Sequence, residues 1–247
     1  MRTSSRPFLI SLAALLALVL VPVAADRFAA ARIESRTAKA FQEGMGTPLP
    51  PQVHVRGVPV LTQLASGTLR HVDITAHDIP ADGSARPLPV TELALSLDGV
   101  RKSDDDKEAR ARKAEATAHL SYPDVSNALG IEIDQAAQPG RISATVLLPL
   151  DSEVKVTTAV SAASGNRISL HEFQVTGGEL PAIGRTLLDR VFAEPIQLRN
   201  IPEGLHLRTV STTATGLTAR FSGESVTFRP EEGSEEGSGE GSAGRAA

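Results

Sequence analysis

An α+β fold dominated by antiparallel sheet is what this 247-residue sequence predicts, and three observations predict it. Between Val53 and Phe228, run after run alternates apolar and polar residues at period two. Two shorter segments in the same span switch to helical spacing. An apolar stretch leading into a helical one stands ahead of them all. Roughly ten short strands at close spacing favour one large antiparallel sheet, a sandwich or a barrel over a parallel sheet.

The first element is set by Arg2 and Arg6, which precede 18 uncharged residues from Phe8 to Ala25. Basic then apolar is the order of an export signal. The length falls between the roughly 7–15 residues of a signal-peptide core and the roughly 20 that span a bilayer. Pro22 followed by Val23-Ala24-Ala25 supplies the small residues a signal peptidase needs before Asp26. Uncut, the stretch would be a transmembrane helix tethering the chain. Residues 1–25 are therefore expected to be a signal peptide or signal anchor, placing the remainder on the outer face of the cytoplasmic membrane or in secretion. From Asp26 to Gln42, Phe28, Ala29, Ile33, Ala40 and Phe41 recur near helical spacing. Arg27, Arg32, Arg36 and Lys39 form its charged side, read first as a solvated face and second as a contact for anionic headgroups.

Gly44 to Pro51 breaks that helix, and the period then changes. Strands are expected at 53–56, 69–77, 91–98, 142–148, 154–160, 168–175, 205–209, 217–221 and 226–228. Tyr122 to Leu129, with Pro123 near its start and Gly130 just past its end, predicts a short helix. Pro181 to Phe192 predicts a second, with Ile183, Leu187, Leu188, Val191 and Phe192 as its apolar stripe. The charged run Arg101 to Glu115 suits a helix start behind Asp104-Asp105-Asp106, or an exposed hairpin excursion. One folded domain over residues 26–229 is expected, with a disordered acidic Gly/Ser tail at 230–247.

Composition narrows the function. Lys plus Arg total 25 against 29 Asp plus Glu, so no basic footprint for nucleic acid exists. With no cysteine, disulfides, thiol catalysis and Cys-ligated zinc are excluded. Aromatics are 3% and Trp is absent, so the core must be aliphatic, a medium suited to acyl chains rather than to stacked bases or sugars. His71, Asp73 and His77 share a strand face and form the one candidate acid/base or metal grouping, but a solvated sheet face needs such residues anyway. No nucleophile elbow, metal-binding helix motif or phosphate loop occurs, so no catalytic residue and no cofactor is assigned.

Three features, Ala25-Asp26-Arg27 opening a helix out of the apolar stretch, Gly57-Val58-Pro59-Val60-Leu61-Thr62-Gln63-Leu64 followed by Gly67, and Leu97-Asp98-Gly99-Val100 ending a strand, resemble the LmeA family of bacterial phospholipid-binding proteins. The later order, a short helix at 122–129, a helix at 178–192 and a crossing at 198–207, is similar too, so the resemblance covers roughly Ala25 to Phe228. Val60 stands where the family often has Phe, and the charged excursion at 101–115 is this chain's own. The resemblance implies an elongated antiparallel sheet curled around a long helix, like the tubular lipid-binding folds, with an apolar groove for a phospholipid. It also implies a role in cell-envelope lipid or lipoglycan maintenance without agreed catalytic residues. The groove residues expected are Val58, Val60, Leu61 and Leu64, Leu93, Leu95 and Leu97, and Leu187, Leu188, Val191 and Phe192, each of which is also a natural core residue. Two other readings stay open: an envelope structural or interaction protein without a ligand, and an envelope enzyme acting on a lipid-linked sugar.

Overall fold

The computed structural model describes residues 6–81, 88–103, 108–148, 152–178, 185, 186, 188, 190, 192, 195–198 and 200–229. The chain is mixed and mostly antiparallel sheet, in two sheets. Helix α1 (Arg6–Met45) comes first. Sheet A holds β1 (Gln52–Arg56), β2 (Thr68–Ile79), β3 (Val90–Lys102), β4 (Ala109–Ser121), β10 (Glu203–Thr212) and β11 (Gly216–Phe228), in the order β1-β2-β3-β4-β11-β10. It curls into a half-barrel. Sheet B holds β5 (Glu132–Gln135), β6 (Arg141–Leu148), β7 (Ser152–Ala163), β8 (Arg167–Gly177) and β9 (Ile196–Gln197) in sequence order. Helix α2 (Val60–Ala65) joins β1 to β2, and α3 (Tyr122–Leu129) carries the chain from sheet A to sheet B.

α3 forms where the sequence places it because both ends are closed locally. The Ser121 hydroxyl accepts from the Asp124 amide (3.2 Å), and Gly130 takes the left-handed conformation (φ 69°) that ends the helix. Residues 185, 186, 188, 190 and 192 are helical, as expected for 181–192, while Leu187 and Val191 lie outside the described residues.

Of the two readings of the charged run at 101–115, the hairpin holds and the helix start does not: β3 continues to Lys102 and β4 begins at Ala109. Ala111, Ala114, Ala116 and Ala118 are buried while Arg110, Arg112, Lys113 and Glu115 are exposed, the alternation changing phase at Arg112-Lys113. The two strands expected at 217–221 and 226–228 are one, β11, carried across Ser225 at φ 53°. The segment 60–65, to which the sequence assigned no element, is the helix α2.

One hydrophobic core runs through both sheets and takes in α1 by Ala30, with Ile33, Ala38 and Phe41 against it. α1 lies along the β1 edge of sheet A, on β1 and α2. Among the described residues no helix is long and apolar enough to cross a membrane.

Candidate lipid-binding interior and helix junction

Strand register builds the inner face of sheet A as three transverse rows. Leu93, Ala118, Ala219 and Val210 form the first, Leu95, Ala116, Phe221 and Leu207 the second, and Leu97, Ala114, Gly223 and Leu205 the third. β4 contributes alanine to every row. Its neighbours β3 and β11 each sit about 4.8 Å away, so the leucines of β3 and Phe221 of β11 stand about 10 Å apart across a floor of Ala114, Ala116 and Ala118. Leu95 and Leu97 are buried and Leu93 half-buried, so the sequence placed these three on the correct face. The alanine floor was missed. Its signal, Ala114, Ala116 and Ala118 at period two, is legible, but alanine carries little strand propensity and the intervening charges drew the reading towards a helix.

Sheet B closes the interior from the other side with Ile142, Ala144, Val146, Val154, Val156, Ile168 and Leu170. Of the later helix, Leu188 and Phe192 are buried, and the Phe192 ring lies 6.2 Å from that of Phe173. The sheets are joined by a side chain acting as a strand. Asn166 accepts from the Leu207 amide (2.7 Å) and donates to the Leu205 carbonyl (3.2 Å), pairing with the outer edge of β10 as a neighbouring backbone would.

The signature segment does something different from what was expected of it. Val60 is buried at 1% exposure, but Val58, Leu61 and Leu64 are exposed at 60%, 43% and 43%. A helix of six residues turns Val60 and Gln63 inward together, three positions apart, and so turns Leu61 and Leu64 outward together. Gln63 is 2% exposed and holds the loop shut: Nε2 donates to the Gly57 carbonyl (2.8 Å) and, at 3.4 Å, to that of Arg56, while Oε1 accepts from the Arg70 amide (2.7 Å). Two carboxylates of α1 fasten the helix to this end. Buried Asp26 accepts from the Leu61 amide at the start of α2 (2.9 Å), and Glu34 accepts from the Val55 amide of β1 (2.8 Å). No hydrophobicity pattern flags Asp26 or Gln63; their roles depend on backbone groups that a sequence does not display.

The polar grouping assembles only in part. His71 Nδ1 lies 2.6 Å from Asp98 Oδ1 and its Nε2 lies 3.0 Å from Asp73 Oδ1, with Arg56 donating to the other oxygen of Asp73. Hydrogen bonding to Asp98 raises the His71 pKa, against the opposing effect of partial desolvation and with help from Asp73. The same bond lowers the pKa of Asp98. Asp73 is also lowered, since the Arg56 and His71 bonds together outweigh desolvation. His77 is exposed and outside this cluster. These side chains project from the outer face of sheet A, opposite Val72 and Leu97, and lie in neither of the two clefts on that face. Those clefts are lined by Arg112, Lys113, His206, Arg208, Ser222 and Glu224, which are polar and unsuited to acyl chains. Among the described residues no His, Asp and Glu group has a metal-binding arrangement. The cluster is a surface charge network with a histidine at its centre.

A family model described as LmeA-like phospholipid-binding matches residues 24–222. No curated protein and no solved structure matches the chain.

Proposed function

We infer the function from a premise that the match over residues 24–222 establishes: this chain belongs to the LmeA-like phospholipid-binding family. The protein binds a phospholipid outside the cytoplasm, at the outer face of the cytoplasmic membrane, and serves the upkeep of envelope lipid or lipoglycan. The basic-then-apolar N-terminus supports export. The site is the inner face of sheet A, with an acyl chain lying along Ala114, Ala116 and Ala118 between Leu93, Leu95 and Leu97 on one side and Phe221 on the other. Leu188 and Phe192 line the opposite side, and the half-barrel curl of sheet A supports a likeness to the tubular lipid-binding folds. The observation that carries this reading is the single aliphatic interior shared by both sheets. At about 0.8 kcal/mol per buried methylene, one acyl chain supplies on the order of 10 kcal/mol before the costs of ordering it. The chain acts as a binder and not as an enzyme.

The second reading, an interaction protein without a ligand, is favoured by one observation: the inward side chains are nearly all below a tenth exposed. Native mass spectrometry of the full chain purified from a phospholipid-rich host separates the two. Binding predicts adducts of phospholipid mass at about one per chain. Absence of adducts, both as purified and after added phospholipid, would sink the binding reading.

A further inference from the structure

Among the described residues, most of the large exposed apolar side chains lie on α1 and on the segment from Leu49 to Leu64, with Leu147 and Val175 of sheet B apart from them. From Leu20 to Ala25 every residue of α1 is exposed, including Leu20 at 55%, Val21 at 65% and Val23 at 52%. At Asp26 the helix becomes attached to the body, and the group it attaches to is the first turn of α2. The docked face then continues through Ala30, Ile33, Glu34, Ala38 and Phe41. The apolar part of α1 therefore leaves the body where α2 presents Val58, Leu61 and Leu64 outward. Exposing three such side chains within seven residues costs hydration free energy that a polar substitution would avoid.

We propose that α2 and the turn before it, through Val58, Leu61 and Leu64, form a shallow docking tip that enters the headgroup boundary of an anionic lipid bilayer. Two features of the molecule choose that occupant over a second copy or a protein partner. The tip is continuous with the apolar N-terminal stretch, whose lipid affinity is independent of the fold. The charge around it is also predominantly basic. Arg27, Arg32 and Arg36 are exposed on the next turns of α1, Arg70 is exposed after α2, Arg56 before it is paired with Asp73, and the carboxylates of Asp26 and Glu34 are turned inward onto backbone amides. Basic side chains ringing an apolar tip suit an anionic surface, each contributing on the order of 1 kcal/mol close to the membrane. Docking at this end would set the lipid-binding interior beside its source. The proposal rests on the lipid-binding reading, but its test does not read lipid occupancy.

The chain has no cysteine, so Leu64→Cys in the full chain gives a single site for an environment-sensitive fluorophore. Leu147→Cys, at 72% exposure on sheet B, is the control. The apolar stretch of α1 brings either labelled chain to a vesicle, so only contact of α2 itself separates them. With phosphatidylglycerol vesicles the Leu64 probe should shift to the blue and brighten several-fold, and lipid-borne quenchers should reach it, while the Leu147 probe stays unchanged. Matching responses at the two positions overturn the docking tip. An equal Leu64 response to pure phosphatidylcholine overturns the anionic surface, and a blue shift that grows with protein concentration without vesicles overturns the bilayer in favour of a second copy. Native mass spectrometry of the same labelled chains reports phospholipid occupancy separately, so loss of docking with retained adducts, or the reverse, shows which of the two readings has failed.

Discussion

Replacing Gln63 with leucine removes the three bonds that close the signature loop while nearly preserving its volume. Gln63 is 2% exposed, so water does not take over from the side chain. The substitution leaves the Gly57 carbonyl and the Arg70 amide without the partners they have at 2.8 and 2.7 Å, and ends the 3.4 Å contact to Arg56. Each lost bond costs about 1 kcal/mol net, and a buried group left unsatisfied about 1–3 kcal/mol. The Arg70 amide lies near the surface and recovers part of that with water, so the total is about 2–4 kcal/mol, or about 4–16 °C in the thermal midpoint for a domain of this size. Urea unfolding followed by circular dichroism reads the stability directly. Gln63→Glu supplies an internal check: its carboxylate still accepts from Arg70 but faces the Gly57 and Arg56 carbonyls, so that variant should regain stability as the pH falls and the carboxyl becomes a donor. A loss under about 0.5 kcal/mol for Gln63→Leu would refute the reasoning that Gln63 is a loop staple.

Further outcomes follow from the same geometry. His71 has a raised folded-state pKa, so its protonated form stabilises the native chain; that stability is fully present below about pH 6.5 and disappears as pH rises through the folded-state value. Urea midpoints should therefore decline from pH 6.5 upward, and His71→Gln should flatten the decline; a variant with the wild-type slope removes His71 as its cause. Asn166→Gly keeps the positive φ of 55° at no strain but deletes the two bonds to β10, so it should cost about 1–3 kcal/mol and speed hydrogen exchange at the Leu207 amide ahead of β4 amides. Gly223→Ala would set a Cβ 2.0 Å from the Gly204 carbonyl oxygen and should force β10 away from β11, lowering the thermal midpoint steeply; an unchanged midpoint contradicts the register of that pair.

How far the sequence reveals this molecule depends on which physical signal each part uses. β2, β6, β7 and β8 were legible because Val, Ile and Thr alternate there at period two, and α3 because Pro123 and Gly130 mark its ends, whereas β5 and β9 are too short to show a period. β4 was not, since its inward residues are alanines that the helix and strand patterns share. The candidate site divides in the same way. Leu93, Leu95, Leu97, Leu188 and Phe192 face inward as their period requires. Val58, Leu61 and Leu64 face outward: Val58 precedes the short helix at 60–65, whose geometry turns Val60 and Gln63 inward and Leu61 and Leu64 outward. Asp26 and Gln63 bind backbone groups 35 and 7 residues distant, contacts that no local periodicity encodes.

A phospholipid carrying a photoactivatable diazirine on its acyl chain tests the central claim most directly, when it is bound to the full chain, irradiated and the labelled peptides are sequenced. Binding in the shared interior predicts label on β3 around Leu93 to Leu97, on β4 around Ala114 to Ala118 and on β11 near Phe221. Label confined to the α2 tip and the apolar stretch of α1, with none on those three strands, would contradict it.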